Sequence, residues 1–175
     1  MSKIKFIKNI KPNFDLSLFD FKINKLKLDN KVHPENRAIK ELDRVASTQN
    51  KVWDEDIPKE IREYINNFGF VEDDYHVNMN IQYPGQMAPL HTDEYIYAAN
   101  KFNVTPDKLI RYWISLTDWE VGQVFGIEEE CFTQWKAGDC YTFDSKKNHW
   151  SVNAGQVIRY TLLISSLKVW NKDGK

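Results

Sequence analysis

The sequence predicts a mainly β fold with N-terminal helices, and three observations carry that expectation. Apolar and polar residues alternate along Tyr75–Tyr83, Leu109–Thr117 and Arg159–Ser165, with shorter runs at Cys131–Trp135, Cys140–Phe143 and His149–Val152. Turn signals separate these runs at Pro84-Gly85, Gly122, Gly138-Asp139 and Ala154-Gly155. Ahead of them lie two stretches at helical spacing. Short strands at near-regular intervals behind such helices suggest a double-stranded β-helix, that is, a jelly-roll or cupin-like double sheet.

Taken in order, residues 3–8 and 21–28 set Lys or Asn against Ile, Phe or Leu, the pattern of half-buried strands. Between 35 and 46, Ala38, Ile39, Leu42 and Val45 fall at helical spacing. A clearer helix follows: Asp56 is placed to cap it, Pro58 suits its first turn, and Ile61, Tyr64, Ile65 and Phe68 form one apolar stripe before Gly69 stops it. Residues 94–107 are less regular and are expected to cover the mouth of the barrel. No repeat or low-complexity linker divides the 175 residues, so 1–175 read as a single domain, with 1–70 as support and 71–170 as the β-helix core.

Composition narrows the function classes. The formal charge of −1 gives no expectation of a nucleic-acid partner, since tracking phosphates requires a basic surplus. The N-terminal lysines alternate with apolar residues and read as a solvated strand face. Cys131 and Cys140 are the two cysteines and form no C-x-x-C pair, so a disulfide framework is not expected and a reduced, cytoplasmic setting is. The opening MSKIKFIKNI has no apolar signal core, and no apolar run approaches the roughly 20 residues of a membrane span.

The chemistry-bearing residues begin with His91-Thr92-Asp93. In an extended segment, positions two apart share a face, so an imidazole and a carboxylate project together. With a remote His149 they form a two-histidine, one-carboxylate metal set. Such a set leaves three positions open, as a non-haem Fe(II) centre requires. An H-x-D alone is a weak signal, because a surface histidine beside a turn produces it equally well. The C-terminal segment adds to it. Arg159 follows His149 by ten residues, and along Arg159–Ser165 the odd positions carry Arg, Thr, Leu and Ser while the even ones are aromatic or aliphatic. An arginine inside a small barrel needs a partner. A bound dicarboxylate provides one, through a guanidinium–carboxylate fork with Thr161 alongside. The plainer reading of Arg159 is an ion pair with a local acidic residue on an exposed face.

In this order of H-x-D, distal His and Arg ten residues on, the chain resembles the Fe(II)/2-oxoglutarate-dependent dioxygenase superfamily. The run from Asn80 through Tyr83-Pro84-Gly85 to His91 and Asp93 looks like the segment before the first ligand in prolyl-hydroxylase-type members. Trp135–Asp139, Phe143–Ser145, His149, Asn153 and Arg159 resemble the aspartyl/asparaginyl β-hydroxylases. The resemblance spans about residues 75–167. It implies His91, Asp93 and His149 as ligands of Fe(II), and Arg159 and Thr161 as the clamp for 2-oxoglutarate. It also places Tyr83 in a hydrogen bond to that cosubstrate and Arg111 near it. Two departures set the chain between the groups: Trp113 stands where the β-hydroxylases have His, and Asp93 provides a carboxylate those enzymes lack.

The implied activity is hydroxylation of a peptide or small-molecule C–H bond, consuming O2 and 2-oxoglutarate and releasing succinate and CO2. A filled carboxylate position favours hydroxylation over halogenation. Asp144 is a candidate to orient His149, with a plain turn role as its alternative. Trp113 and Trp150 are expected in the core more than in a pocket wall. Two other readings stay open: a cupin-type metalloenzyme that does not use 2-oxoglutarate, and a non-catalytic binding module on the same scaffold.

Overall fold

The computed structural model describes residues 3–16, 49–53, 57–71 and 74–167. Ten strands form two antiparallel sheets, a double-stranded β-helix. The strands are β1 (Ile4–Asn9), β2 (Gln49–Trp53), β3 (Tyr75–Gln82), β4 (Gln86–His91), β5 (Ile110–Ser115), β6 (Gln123–Ile127), β7 (Glu130–Phe132), β8 (Asp139–Phe143), β9 (His149–Asn153) and β10 (Arg159–Ser166). The six-stranded sheet runs β1-β8-β5-β10-β3-β2 and the four-stranded sheet β4-β9-β6-β7. Consecutive strands from β3 onward alternate between the sheets except at the β6–β7 hairpin, which winds the chain into a barrel.

Strand periodicity assigns a core to each face of the larger sheet. On its outer face, Tyr75, Val77, Met79 and Ile81 of β3 and Tyr160, Leu162 and Ile164 of β10 meet helix α1 (Lys59–Asn67) through Ile61, Tyr64 and Ile65. Each such fully buried side chain contributes about 1.5–3 kcal/mol relative to exposure. The stripe anticipated for α1 is the one it buries, and Gly69, at φ 87°, ends the chain's helical path. On the inner face, Trp113, Tyr141 and Phe143 meet Phe125 and Ile127 of the smaller sheet, with Trp135 between them.

Some expectations fall outside the described residues and others differ from what those residues show. The proposed strand 21–28, the helix 35–46 and Asp56 lie outside the described residues, so one of the two N-terminal helices is observed. Residues 94–107, expected to be less regular, contain helix α2 (Ile96–Phe102) and lead into a 3-10 turn at Pro106–Lys108. Its burial rests on Ala98 and Ala99, too small a stripe to register as a period. Strands β2, β4 and β6 were not anticipated. In β4 the alternation is broken by Pro89, and in β6 by Gly126, whose missing Cβ admits the Trp150 indole. Trp150 therefore packs on the outer side of the small sheet, whereas Trp113 lines the barrel interior.

Candidate metal centre

A break in strand register brings the first two histidines together. Ala88 of β4 pairs with Ser151 of β9, but the next partners are His91 and His149, so three steps along β4 match two along β9. The extra residue falls at Pro89-Leu90, and Pro89 has no N–H to give a ladder bond. Without that bulge Leu90 would face His149. With it, Leu90 is about half exposed and the imidazole points inward. The ring centroids of His91 and His149 stand 4.3 Å apart.

Backbone carbonyls set both rings. His91 Nδ1 meets the Pro89 carbonyl at 2.6 Å and His149 Nδ1 meets that of Lys147 at 2.9 Å. An Nδ1–H donated to a carbonyl leaves Nε2 with its lone pair free, the form that binds metal. Asp144 takes no part in orienting His149. It accepts from the Lys146 and Lys147 amides and closes the turn before β9.

Asp93 completes the group. Its Oδ1 lies 3.8 Å from Nε2 of His91 and 3.8 Å from Nε2 of His149, and the three ligand atoms all fall within 4.8 Å of one another. Its Oδ2 is turned to Arg111, at 3.0 Å from Nε and 2.9 Å from Nη2. Arg111 is buried, donates through Nη1 to Ser165 Oγ at 2.9 Å, and lies over the Tyr95 ring at 4.7 Å. Tyr95 in turn bonds Ser145, whose carbonyl accepts from the Asp93 amide at 3.0 Å. Burial alone would raise the Asp93 carboxyl, but Arg111 and the two imidazoles outweigh it and hold it below the ordinary carboxylate value. Burial pushes the His149 imidazole down, against the opposing charge of Asp93. A cleft of about 430 Å³ lies beyond Arg111, Tyr95 and Ser145, and none of the three potential ligands lines it.

Farther into the barrel is Arg159, 4% exposed. Its Nη1 donates to Gln82 Oε1 at 3.2 Å and weakly to the Val124 carbonyl at 3.4 Å, and its Nε has no partner among the described residues. The guanidinium carbon lies 5.0 Å from the Trp135 ring and 5.6 Å from that of Trp113. Trp113 stacks on Phe125 at 5.8 Å, and Phe125 meets His149 at 6.1 Å, so an aromatic wall runs from the guanidinium to the histidines. Burial pulls the Arg159 pKa down to about 10, with no carboxylate opposing it among the described residues.

The remaining candidates separate. Thr161 is buried on the same face of β10 as Arg159, opposite Asn80. Tyr83, expected at the cosubstrate, packs instead against the outer core with the odd residues of β3. Gln82, on the inner face, is the residue that meets Arg159. Arg111, also expected at the cosubstrate, is committed to Asp93. Sequence reasoning passed over Asn78 and Asn80, whose carboxamide oxygens are buried without partners among the described residues, on the face shared with Gln82. The period-two pattern of Tyr75–Tyr83 was the signal that marked them. It also passed over Trp135, fully buried with an indole N–H that has no partner among the described residues.

No protein-family model and no curated protein matches the sequence. Among solved structures, the chain is similar to a cupin domain from Bordetella pertussis (12% identity, 71% of this chain and 96% of that one, TM-score 0.44). It is also similar to a predicted oxalate decarboxylase from Thermotoga maritima (17% identity, 69% and 81%, TM-score 0.42). A third is an oxidoreductase of the 2OG-Fe(II) oxygenase family from Burkholderia pseudomallei (13% identity, 63% and 53%, TM-score 0.41).

Proposed function

We propose that the chain is an Fe(II)- and 2-oxoglutarate-dependent oxygenase that hydroxylates a C–H bond of a peptide or small molecule. His91, Asp93 and His149 hold the metal, and Arg159 grips the far carboxylate of the cosubstrate. Arg159 is the observation that carries this reading. A buried guanidinium costs several kcal/mol unless a carboxylate offsets it, and among the described residues none does. The guanidinium Nε and the Trp135 Nε1 are both buried donors without acceptors among the described residues. A carboxylate entering beside them supplies acceptor oxygens and the missing charge together.

The donor set suits the metal as well. Two neutral imidazole nitrogens and one carboxylate oxygen on one side of an ion fit Fe(II) and leave positions for a bidentate ligand and dioxygen. Bound iron and 2-oxoglutarate would supply the oxidising power, turning O2 and the ketoacid into succinate, CO2 and a hydroxyl on the substrate. The protein's part is placement. Arg159 and Thr161 fix one end of the cosubstrate, and Leu163, Trp113 and Phe125 give it a water-poor wall. The carbonyls of Pro89 and Lys147 engage the Nδ1 atoms and leave the Nε2 lone pairs free for an ion shared with Oδ1 of Asp93.

Anaerobic titration with Fe(II) and then 2-oxoglutarate tests this. A weak visible charge-transfer band is expected, absent in Arg159→Ala. A band unaffected by that substitution would point to a cupin-type metalloenzyme with no need of the clamp. No metal binding at all would leave a binding module.

A further inference from the structure

We infer that Arg111 is a positioning residue that restricts Asp93 to one metal-binding oxygen and so keeps the third coordination position open. The inference rests on the metal-site reading above and adds to it the device that sets the coordination number.

A carboxylate can bind a metal through one oxygen or through both. In a site of three protein residues the difference matters, because a second bound oxygen would occupy one of the three positions that a bidentate cosubstrate and dioxygen need. Each carboxylate oxygen has two acceptor sites. On Oδ2 of Asp93 two N–H groups are available to take both, from Nε at 3.0 Å and Nη2 at 2.9 Å of the same guanidinium. Oδ1 is left facing both imidazole Nε2 atoms.

The guanidinium has little freedom to release Oδ2. Nη1 is bonded to Ser165 Oγ, the planar face lies on Tyr95, and Arg111 itself is 7% exposed. Tyr95 is held in turn, in the left-handed region at φ 56°, with its hydroxyl on Ser145. For a bulky residue that backbone conformation is unfavourable, and the surrounding contacts must hold it. Strands β5 and β10, the loop between β8 and β9 and the start of α2 thus fix one fork on one oxygen.

The test uses Mn(II), whose inner-sphere waters are counted by water-proton relaxation. Wild-type protein is expected to bind Mn(II) with three waters. Arg111→Met frees Oδ2, and the count is expected to fall to two, a loss of about one third in inner-sphere relaxivity with the metal retained. The affinity of the Mn(II) form for 2-oxoglutarate should fall about tenfold or more alongside. Arg111→Lys keeps the buried charge but offers a rotating point donor in place of the fork. It guards against misfolding and should shift the count in the same direction. Three waters in a folded Arg111→Met, or in Arg111→Lys if only that variant folds, would overturn the inference. So would loss of Mn(II) from a folded variant, since Arg111 would then be holding Asp93 in place and not limiting it. Wild-type protein that binds no Mn(II) would remove the metal-site reading itself, a separate outcome.

Discussion

Gln82 is the one side chain that accepts a hydrogen bond from the Arg159 guanidinium among the described residues, and it is neutral, at 3.2 Å. An amide oxygen satisfies a direction but not a charge. The barrel therefore maintains a buried cation whose counterion is not part of its described fold, and that makes function and stability separable at one position. Arg159→Met keeps the length and removes the charge. It is expected to raise the melting temperature of the ligand-free protein by about 2–10 °C, because replacing a poorly compensated buried charge by an apolar chain is worth roughly 1–3 kcal/mol. The same variant should lose all stabilisation by 2-oxoglutarate. Differential scanning calorimetry with and without the ketoacid measures both. A lower melting temperature without ligand would make Arg159 a structural residue.

Asp93 and His91 should differ in what their loss does to folding while agreeing in what it does to chemistry. Either alanine variant is expected to abolish succinate release in the absence of substrate. Asp93→Ala also strands the Arg111 guanidinium, at a cost of about 3–5 kcal/mol. That corresponds to a fall on the order of 10 °C in melting temperature. His91→Ala leaves no charge unpaired and should melt within a few degrees of wild type. Equal destabilisation by the two, or retained succinate release in both, would sink this account.

These contrasts show how far the sequence alone reached. The alternation of Arg159–Ser165 was enough to set Arg159 and Thr161 inward, because strand period is a local property. His91 and Asp93 were paired on the same ground, although the feature that turns His91 toward His149 is the bulge at Pro89-Leu90. Its position depends on which strand β4 meets, and register is not local. Arg111 shows the same limit. Placed by resemblance near a cosubstrate, it is engaged by Asp93, 18 residues earlier, across a contact only the folded chain creates. Tyr83 was misplaced for a different reason: Gln82 occupies the inward phase of β3, so the pattern itself excluded Tyr83. Gly126 hid β6, since only the packing of Trp150 explains a glycine within a strand.

Proton competition should follow the two shifted ligands. His149 is held below its ordinary 6.5 and Asp93 below its ordinary 3.8, so the unfolded chain binds more protons than the folded one in each window. The contribution of these two groups to the stability of the metal-free protein is therefore fully present above pH 6.5. It is expected to fall as the pH drops through the folded value of His149, and again below 3.8 through that of Asp93. Thermal melts of EDTA-treated protein between pH 8 and 5 check the first window. His149→Asn should flatten the slope below 6.5, and parallel profiles for the two proteins would count against the assignment.

The support that the N-terminal strand gives this barrel hangs on Gly138. Its carbonyl accepts from the Ile10 amide at 3.0 Å, and its own N–H donates to the Ser115 carbonyl at 2.7 Å, joining the end of β1, the entry to β8 and the end of β5. The residue sits at φ 88°, and an added Cβ would lie 2.1 Å from the Ile10 carbonyl oxygen. Backbone cannot swing aside as a side chain can, so Gly138→Ala must displace β1 or reshape the turn. The expected cost is about 2–4 kcal/mol, combining overpacking with a left-handed conformation that alanine disfavours. Gly85→Ala is the control, since φ there is 84° but nothing lies within 4 Å of the new carbon, so only the conformational part remains. Urea unfolding of both variants separates the two parts. A Gly138→Ala midpoint no lower than that of Gly85→Ala would mean that β1 yields freely and that the seam does not brace the sheet behind Arg111 and Arg159.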